Sequence, residues 1–140
     1  MINVLNNLKN WPKNITESIN KKEILVISEK EALNFIHGKE NQNKISFYIS
    51  NDKVHIGILT LTEGKFSDAE RHNGDEAIWV LQGEIQIKAW EGKDEEESVF
   101  QKCHHLKTND KFMIPEGYKH QYFNLSSNTA KILFAISPDL

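Results

Sequence analysis

The sequence predicts an all-β fold of the jelly-roll or barrel kind, preceded by short helical segments. Three observations predict it. From residue 44 to the end, short apolar runs of strand length follow one another at even spacing. Turn signals stand between them, among them Asn51-Asp52, Gln82-Gly83-Glu84 and Pro115-Glu116-Gly117. Within the runs, residues alternate with the period of an extended chain, so that Val54, Ile56, Ile58 and Thr60 face one way. The 140 residues suit one domain with one core, and no internal repeat or linker divides them.

Residues 1–43 differ from the rest and are expected to form an extension that packs on a barrel of residues 44–140. Leu5, Leu8, Trp11, Ile15 and Ile19 recur at helical spacing, and Pro12 splits them into two short helical turns. The apolar run Ile24, Leu25, Val26 and Ile27 predicts a strand. Ser28 is expected to cap a short helix through His37, with Glu31 three residues on as a capping box requires, and Gly38 to stop it. Strands are then expected at residues 44–50 and 54–62, and in a hairpin over 77–90 that turns at 82–84. The charged run 92–97 reads as a solvated loop. Further strands are expected at 98–106, 111–114, 120–124 and 131–136, giving about eight or nine in all.

Composition narrows the function classes. The net charge is −3 and no basic stripe is present, so nucleic acid is not the expected partner. The single cysteine, Cys103, cannot form an internal disulfide, which points to a reducing compartment. No apolar stretch reaches the length of a membrane span, and the Asn- and Lys-rich N-terminus lacks the apolar stretch of a signal peptide. A cytoplasmic protein without a membrane partner is expected. The glycosylation-like triplets at Asn14 and Asn124 are then coincidental.

The chemistry is concentrated in two segments. In residues 64–83, Glu70 and His72 are two apart and would share one face of an extended chain. Glu76 comes after Asn73-Gly74 and keeps that parity if the turn restores the strand. Two carboxylates and an imidazole converging inside a barrel repel and desolvate one another, and a divalent cation resolves both costs. In residues 109–124, the turn at Pro115-Glu116-Gly117 precedes His120, with Tyr122 and Asn124 on the same face. His120 would supply a fourth ligand from a distant strand.

These segments resemble the cupin family. The first cupin motif is written G(X)5HXH(X)3,4E(X)6G, and Gly64, Glu70, His72, Glu76 and Gly83 stand at its intervals. The second is G(X)5PXG(X)2H(X)3N, matched by Pro115, Gly117, His120 and Asn124. The resemblance spans residues 54–137 and implies a double-stranded β-helix, a homodimer, and one divalent metal ion (Fe, Mn, Ni or Zn) on Glu70, His72, Glu76 and His120. Two positions depart from the family pattern. Glu70 replaces the first histidine, which leaves it as a ligand, a general base or a strand-edge charge beside Arg71. Asn109 replaces the opening glycine, a mild change because Asn also tolerates tight turns.

Other candidates have plainer readings. Cys103-His104-His105 alternate faces on a strand and have no second cysteine near them, so a metal site there is disfavoured. Trp79, Phe112, Tyr118 and Phe134 read as core more than as cavity lining, and His37 and His55 as structural. Tyr122 shares the parity of His120 and joins Glu70 as a candidate proton mover.

Three function classes remain, all with a small-molecule ligand in the barrel. The first is a Lewis-acid enzyme acting on a sugar or organic acid derivative, such as an isomerase or epimerase. The second is an Fe(II) dioxygenase using His72, Glu76 and His120 as a facial triad. The third is a binding or sensing module without turnover.

Overall fold

The structure, a computed structural model, describes residues 10–90 and 101–138. Nine strands are found among them: β1 (Leu33–His37), β2 (Asn43–Ser50), β3 (His55–Leu61), β4 (Asp75–Gln82), β5 (Glu84–Trp90), β6 (Gln101–Lys107), β7 (Lys111–Ile114), β8 (Lys119–Phe123) and β9 (Ala130–Ser137). They form a six-stranded antiparallel sheet in the order β1-β2-β3-β9-β4-β7 and a three-stranded one in the order β6-β5-β8. This is the expected jelly-roll architecture.

The alternation along each strand decides which side chains meet between the sheets. In β4, Glu76, Ile78 and Val80 point inward while Asp75, Ala77, Trp79 and Leu81 point out. In β8, His120 and Tyr122 are the buried pair. The core joins Ile45 and Phe47 of β2, Leu59 and Leu61 of β3, and Ile132 and Phe134 of β9 to Ile85 and Ile87 of β5. Burial of each such side chain stabilises by about 1.5–3 kcal/mol. In β3 the buried residues are His55, Gly57, Leu59 and Leu61, so Ile56, Ile58 and Thr60 share the outer face. Gly57 lies opposite Phe134 in the β3–β9 register. A Cβ there would come within 2.6 Å of the Phe134 ring and 2.7 Å of the Ser46 carbonyl oxygen.

The chain turns at Gly83 as expected and β7 has the expected bounds, but residues 77–90 do not form a hairpin: β4 pairs with β9 and β7, and β5 with β6 and β8, so the turn carries the chain from one sheet to the other. The N-terminal expectations fare differently. One helix, α1 (Ile15–Asn20), stands in the first stretch, and residues 1–9 lie outside the described residues, as does the charged run 92–97. The apolar run 24–27 is not a strand, and Ile24 is 94% and Val26 82% exposed. The helix expected from Ser28 to His37 is replaced by a single 3-10 turn, Glu29–Glu31, and by β1. Its capping box is present: the Ser28 amide and hydroxyl both donate to Glu31 Oε2. The cap holds only one turn because β1 gains five paired positions along β2, more than one further helical turn offers.

Candidate metal centre

Backbone pairing stitches the two motif segments together. Residues 64–70 run antiparallel to β8, with Ser67 N–H donating to Tyr122 O, and Glu70 and His120 exchanging both backbone hydrogen bonds. The turn after β7 is tied to the first segment twice: Gly117 N–H donates to His72 O at 3.0 Å, and Glu116 N–H to Asp75 Oδ1 at 2.9 Å. Gly117 sits at φ +82°, a left-handed conformation that a β-carbon would strain. Asn109 takes φ +74° at the opening of the second motif, so asparagine does fill that glycine position. Asn124 is fully buried, donates to the Leu61 and Asn128 carbonyls and accepts from Ser126, which makes it a structural clamp.

This framework brings together His72, Glu76 and His120, all buried, with one donor atom from each within 4.8 Å of the others. His120 Nε2 lies 2.9 Å and His72 Nε2 3.4 Å from Glu76 Oε2. Donor atoms that share one ion at about 2.1 Å stand roughly 3.0–3.4 Å apart at octahedral or tetrahedral angles. The remaining groups are already engaged. His120 Nδ1–H donates to Tyr118 O at 3.3 Å, which leaves Nε2 with the lone pair. Tyr122 O–H donates to Glu76 Oε1 at 2.8 Å, which leaves Oε2. Glu76 Oε2 and His120 Nε2 face one another at 2.9 Å, and both are buried without a hydrogen-bond partner. Such atoms cost about 1–3 kcal/mol each when left unmet, and a divalent cation between them meets both.

The electrostatics agree. Burial pushes the Glu76 carboxyl up, but the imidazoles of His120 and His72 outweigh it and hold it at about 2. Burial lowers His120, and the Glu76 carboxylate more than reverses that. Burial, reinforced by Glu76, drives the Tyr122 hydroxyl well above its usual range, so it stays a donor. The field that favours a proton here favours a metal cation in its place.

Glu70 stands outside the close trio. Its Oε2 is 3.8 Å from His72 Nε2, and its Oε1 accepts a 2.6 Å hydrogen bond from His37 Nε2–H. His37, read as structural from sequence, therefore belongs to the site: the hydrogen bond from its ring to Glu70, more than the burial that opposes it, raises its pKa. Expecting a helix there hid it, since a strand ending at residue 37 would have placed His37 beside the barrel mouth. The cavity above the trio measures about 40 Å³ and is walled by Ile45, Phe47, Leu59, Phe134 and Ile136, with His37, Asn43 and Glu70 as its polar edge. Phe134 is thus both core and cavity wall, whereas Trp79 lies outside with the Lys111 ammonium 4.5 Å over its ring. His104 packs against Phe112, and His105 pairs with Glu84 on the surface, so neither joins the trio. His55 pairs with Ser50 in the core. No helix among the described residues is long and apolar enough to cross a membrane.

Comparison with known proteins gives a consistent picture. The family model described as "Cupin domain" matches residues 57–136. No curated protein matches the sequence. Among solved structures, a predicted oxalate decarboxylase from Thermotoga maritima is similar at TM-score 0.66 and 15% identity, over 81% of this chain and 99% of that one. The cupin domain of Drosophila melanogaster CENP-C gives 0.65 and 15%, over 86% and 82%. An RmlC-like cupin from Shewanella frigidimarina gives 0.62 and 15%, over 82% and 92%.

Proposed function

The chain belongs to the cupin domain family, and from that premise we propose that it holds one divalent metal ion on His72, Glu76 and His120 and binds or transforms a small polar molecule beside it. The observation that carries this reading is the buried pair Glu76 Oε2 and His120 Nε2, 2.9 Å apart and each without a hydrogen-bond partner. When bound, the ion supplies Lewis acidity to an oxygen of the ligand. The chain's own groups do the rest. Tyr122 and the Tyr118 carbonyl fix the two donors that flank the ion. The apolar walls exclude water, which strengthens every polar contact inside. Glu70, hydrogen-bonded to His37, is placed at the cavity edge to accept or return a proton, as an isomerase or epimerase requires.

The trio without Glu70 also supports a second reading. Two histidines and one carboxylate form the set used by oxygen-activating iron enzymes. Small organic acids are the first ligand class to try, because one structural neighbour is described as a predicted oxalate decarboxylase. We further propose a homodimer, since Trp79, Leu81 and Met113 leave large apolar side chains exposed on the outer face of the six-stranded sheet.

The test is elemental analysis of protein purified without a histidine tag or chelator. About one equivalent of metal is expected in the wild type, little in His120→Ala and near wild-type content in Glu70→Gln, with activity lost in the latter. Full metal in His120→Ala would overturn the reading. Iron as the retained metal, with oxygen uptake, would select the second reading over the first, and ligand binding without turnover would make the chain a binding module.

A further inference from the structure

Resting on the reading of His72, Glu76 and His120 as a metal centre, we propose that Asn43 selects the ligand. Its Oδ1 accepts a hydrogen bond from a hydroxyl or N–H at the far end of a short, otherwise apolar molecule, and it disfavours molecules with a second carboxylate there.

Asn43 opens β2, lines the cavity and is 3% exposed. Its Nδ2 donates to Phe66 O at 2.8 Å and to Asn41 O at 3.4 Å. Both partners are carbonyls, so the amide cannot be turned over: that would set oxygen against oxygen twice. The nitrogen side also faces the loop at Gly38, where Nδ2 lies 3.6 Å from the position of a Cβ. That leaves Oδ1 as the unengaged acceptor of a residue in the cavity wall, and it is buried without a hydrogen-bond partner. It is the third such atom among the described residues, and the other two are Glu76 Oε2 and His120 Nε2. All three belong to residues at one cavity: Asn43 and Glu76 line its wall, and His120 closes on Glu76.

The two poles make different demands. The metal pole takes an oxygen head. The Asn43 pole takes only a donor, because an amide oxygen has no proton to give. Between them the wall is Ile45, Phe47, Leu59 and Phe134, which asks for an apolar body. Among the described residues no lysine or arginine lines the cavity, while Glu70 and Glu76 do. A second carboxylate would meet an acceptor and two carboxylates, with no lysine or arginine in the wall and with His37 already engaged by Glu70. At about 40 Å³ the cavity has room for roughly three waters, so the ligand is short. His37 lies opposite Asn43 in the β1–β2 register but is already engaged by Glu70. Asn43 is therefore the neutral acceptor that the wall leaves without a hydrogen bond.

The experiment is calorimetric titration of the full-length protein loaded with manganese(II), using two series of acids matched in length. The three-carbon chain gives 3-hydroxypropionate against butyrate and malonate, and the four-carbon chain gives 4-hydroxybutyrate against pentanoate and succinate. In at least one series the hydroxy acid is expected to bind about tenfold or more tighter than its methyl-ended isostere, with the dicarboxylate weakest. Asn43→Leu, checked for folding by circular dichroism, should bring the hydroxyl-to-methyl ratio to within about twofold. The wild-type ratios need no variant, so the test stands even where Asn43→Leu does not fold. Equal binding of hydroxy and methyl acids in both series overturns the role of Asn43 and leaves the metal centre standing. Retained manganese with no acid bound has the same meaning. Failure to retain manganese overturns the metal reading, and this inference with it.

Discussion

Tyr122→Phe tests whether the buried carboxylate of Glu76 is held ready for a cation. The substitution removes one hydroxyl, which donates to Glu76 Oε1 at 2.8 Å. The ring stays, still 5.4 Å from the His120 ring in an edge contact, so no cavity of side-chain size opens. Tyr122 and Glu76 are both buried, so water does not replace the lost donor cheaply. A hydrogen bond to a charged group contributes about 1.5–3 kcal/mol. For a chain of this size that corresponds to a fall in Tm of roughly 5–10 °C in the metal-free protein. The metal centre should feel the same loss, because a carboxylate released from its partner is free to rotate away from the ion. Removing such a partner typically weakens metal binding about 10–100-fold. Competition against a chromophoric chelator measures the affinity, and calorimetry of the stripped protein measures the stability. A metal affinity within twofold of wild type, alongside the expected fall in Tm, would show that Glu76 is not a ligand. No change in either would show that the hydrogen bond itself is absent.

Two further predictions concern the frame around the site. Gly57→Ala places a methyl group 2.6 Å from the Phe134 ring and 2.7 Å from the Ser46 carbonyl, and urea denaturation should report a loss of about 1–3 kcal/mol; a loss under about 0.5 kcal/mol would mean that the sheet yields there. The hydrogen bond from His37 to Glu70 raises the imidazole pKa against the lowering effect of burial. A raised folded-state pKa gives stability that is full below the ordinary histidine value and lost as pH rises through the raised one. His37→Gln should therefore cost the metal-free protein more stability at about pH 5.5 than at about pH 9, and an equal cost at both would refute the pairing.

How much of the fold and the site was legible in the sequence depended on the period of the pattern. A strand pattern of period two carries its own test, because parity tells which residues share a face. That is why His120, Tyr122 and Asn124 could be placed on one face from sequence alone. The turns were legible for a related reason. Gly83 and Gly117 take positive φ, as the motif positions require, and Asn109 does so in place of a glycine. The N-terminal third failed because local and long-range preferences conflict there. Ser28 and Glu31 do form the predicted capping box, but the conformation of residues 33–37 is decided by pairing with β2, which no local signal records. The run Ile24 to Ile27 has strand-like composition and no strand beside it among the described residues, and composition alone cannot supply a partner. Asn43 was missed for a simpler reason. A buried amide is common, and only the direction of its hydrogen bonds leaves one atom wanting.

The departure at Glu70 and the failure at His37 have one physical explanation. A glutamate in place of the first motif histidine brings a second carboxylate to a site where Glu76 is already buried and ionised. Left alone it would be repelled by the Glu76 carboxylate. His37 removes that cost by donating to Glu70 Oε1 and gaining charge as it does so. The compensating residue lies on β1, outside the residues 57–136 that carry the family pattern. The motif position and the N-terminal strand are therefore coupled in this chain: each makes sense of the other. Glu70 in its present position, held at the cavity edge by His37 and turned partly away from the trio, depends on a strand that local sequence signals assign to a helix.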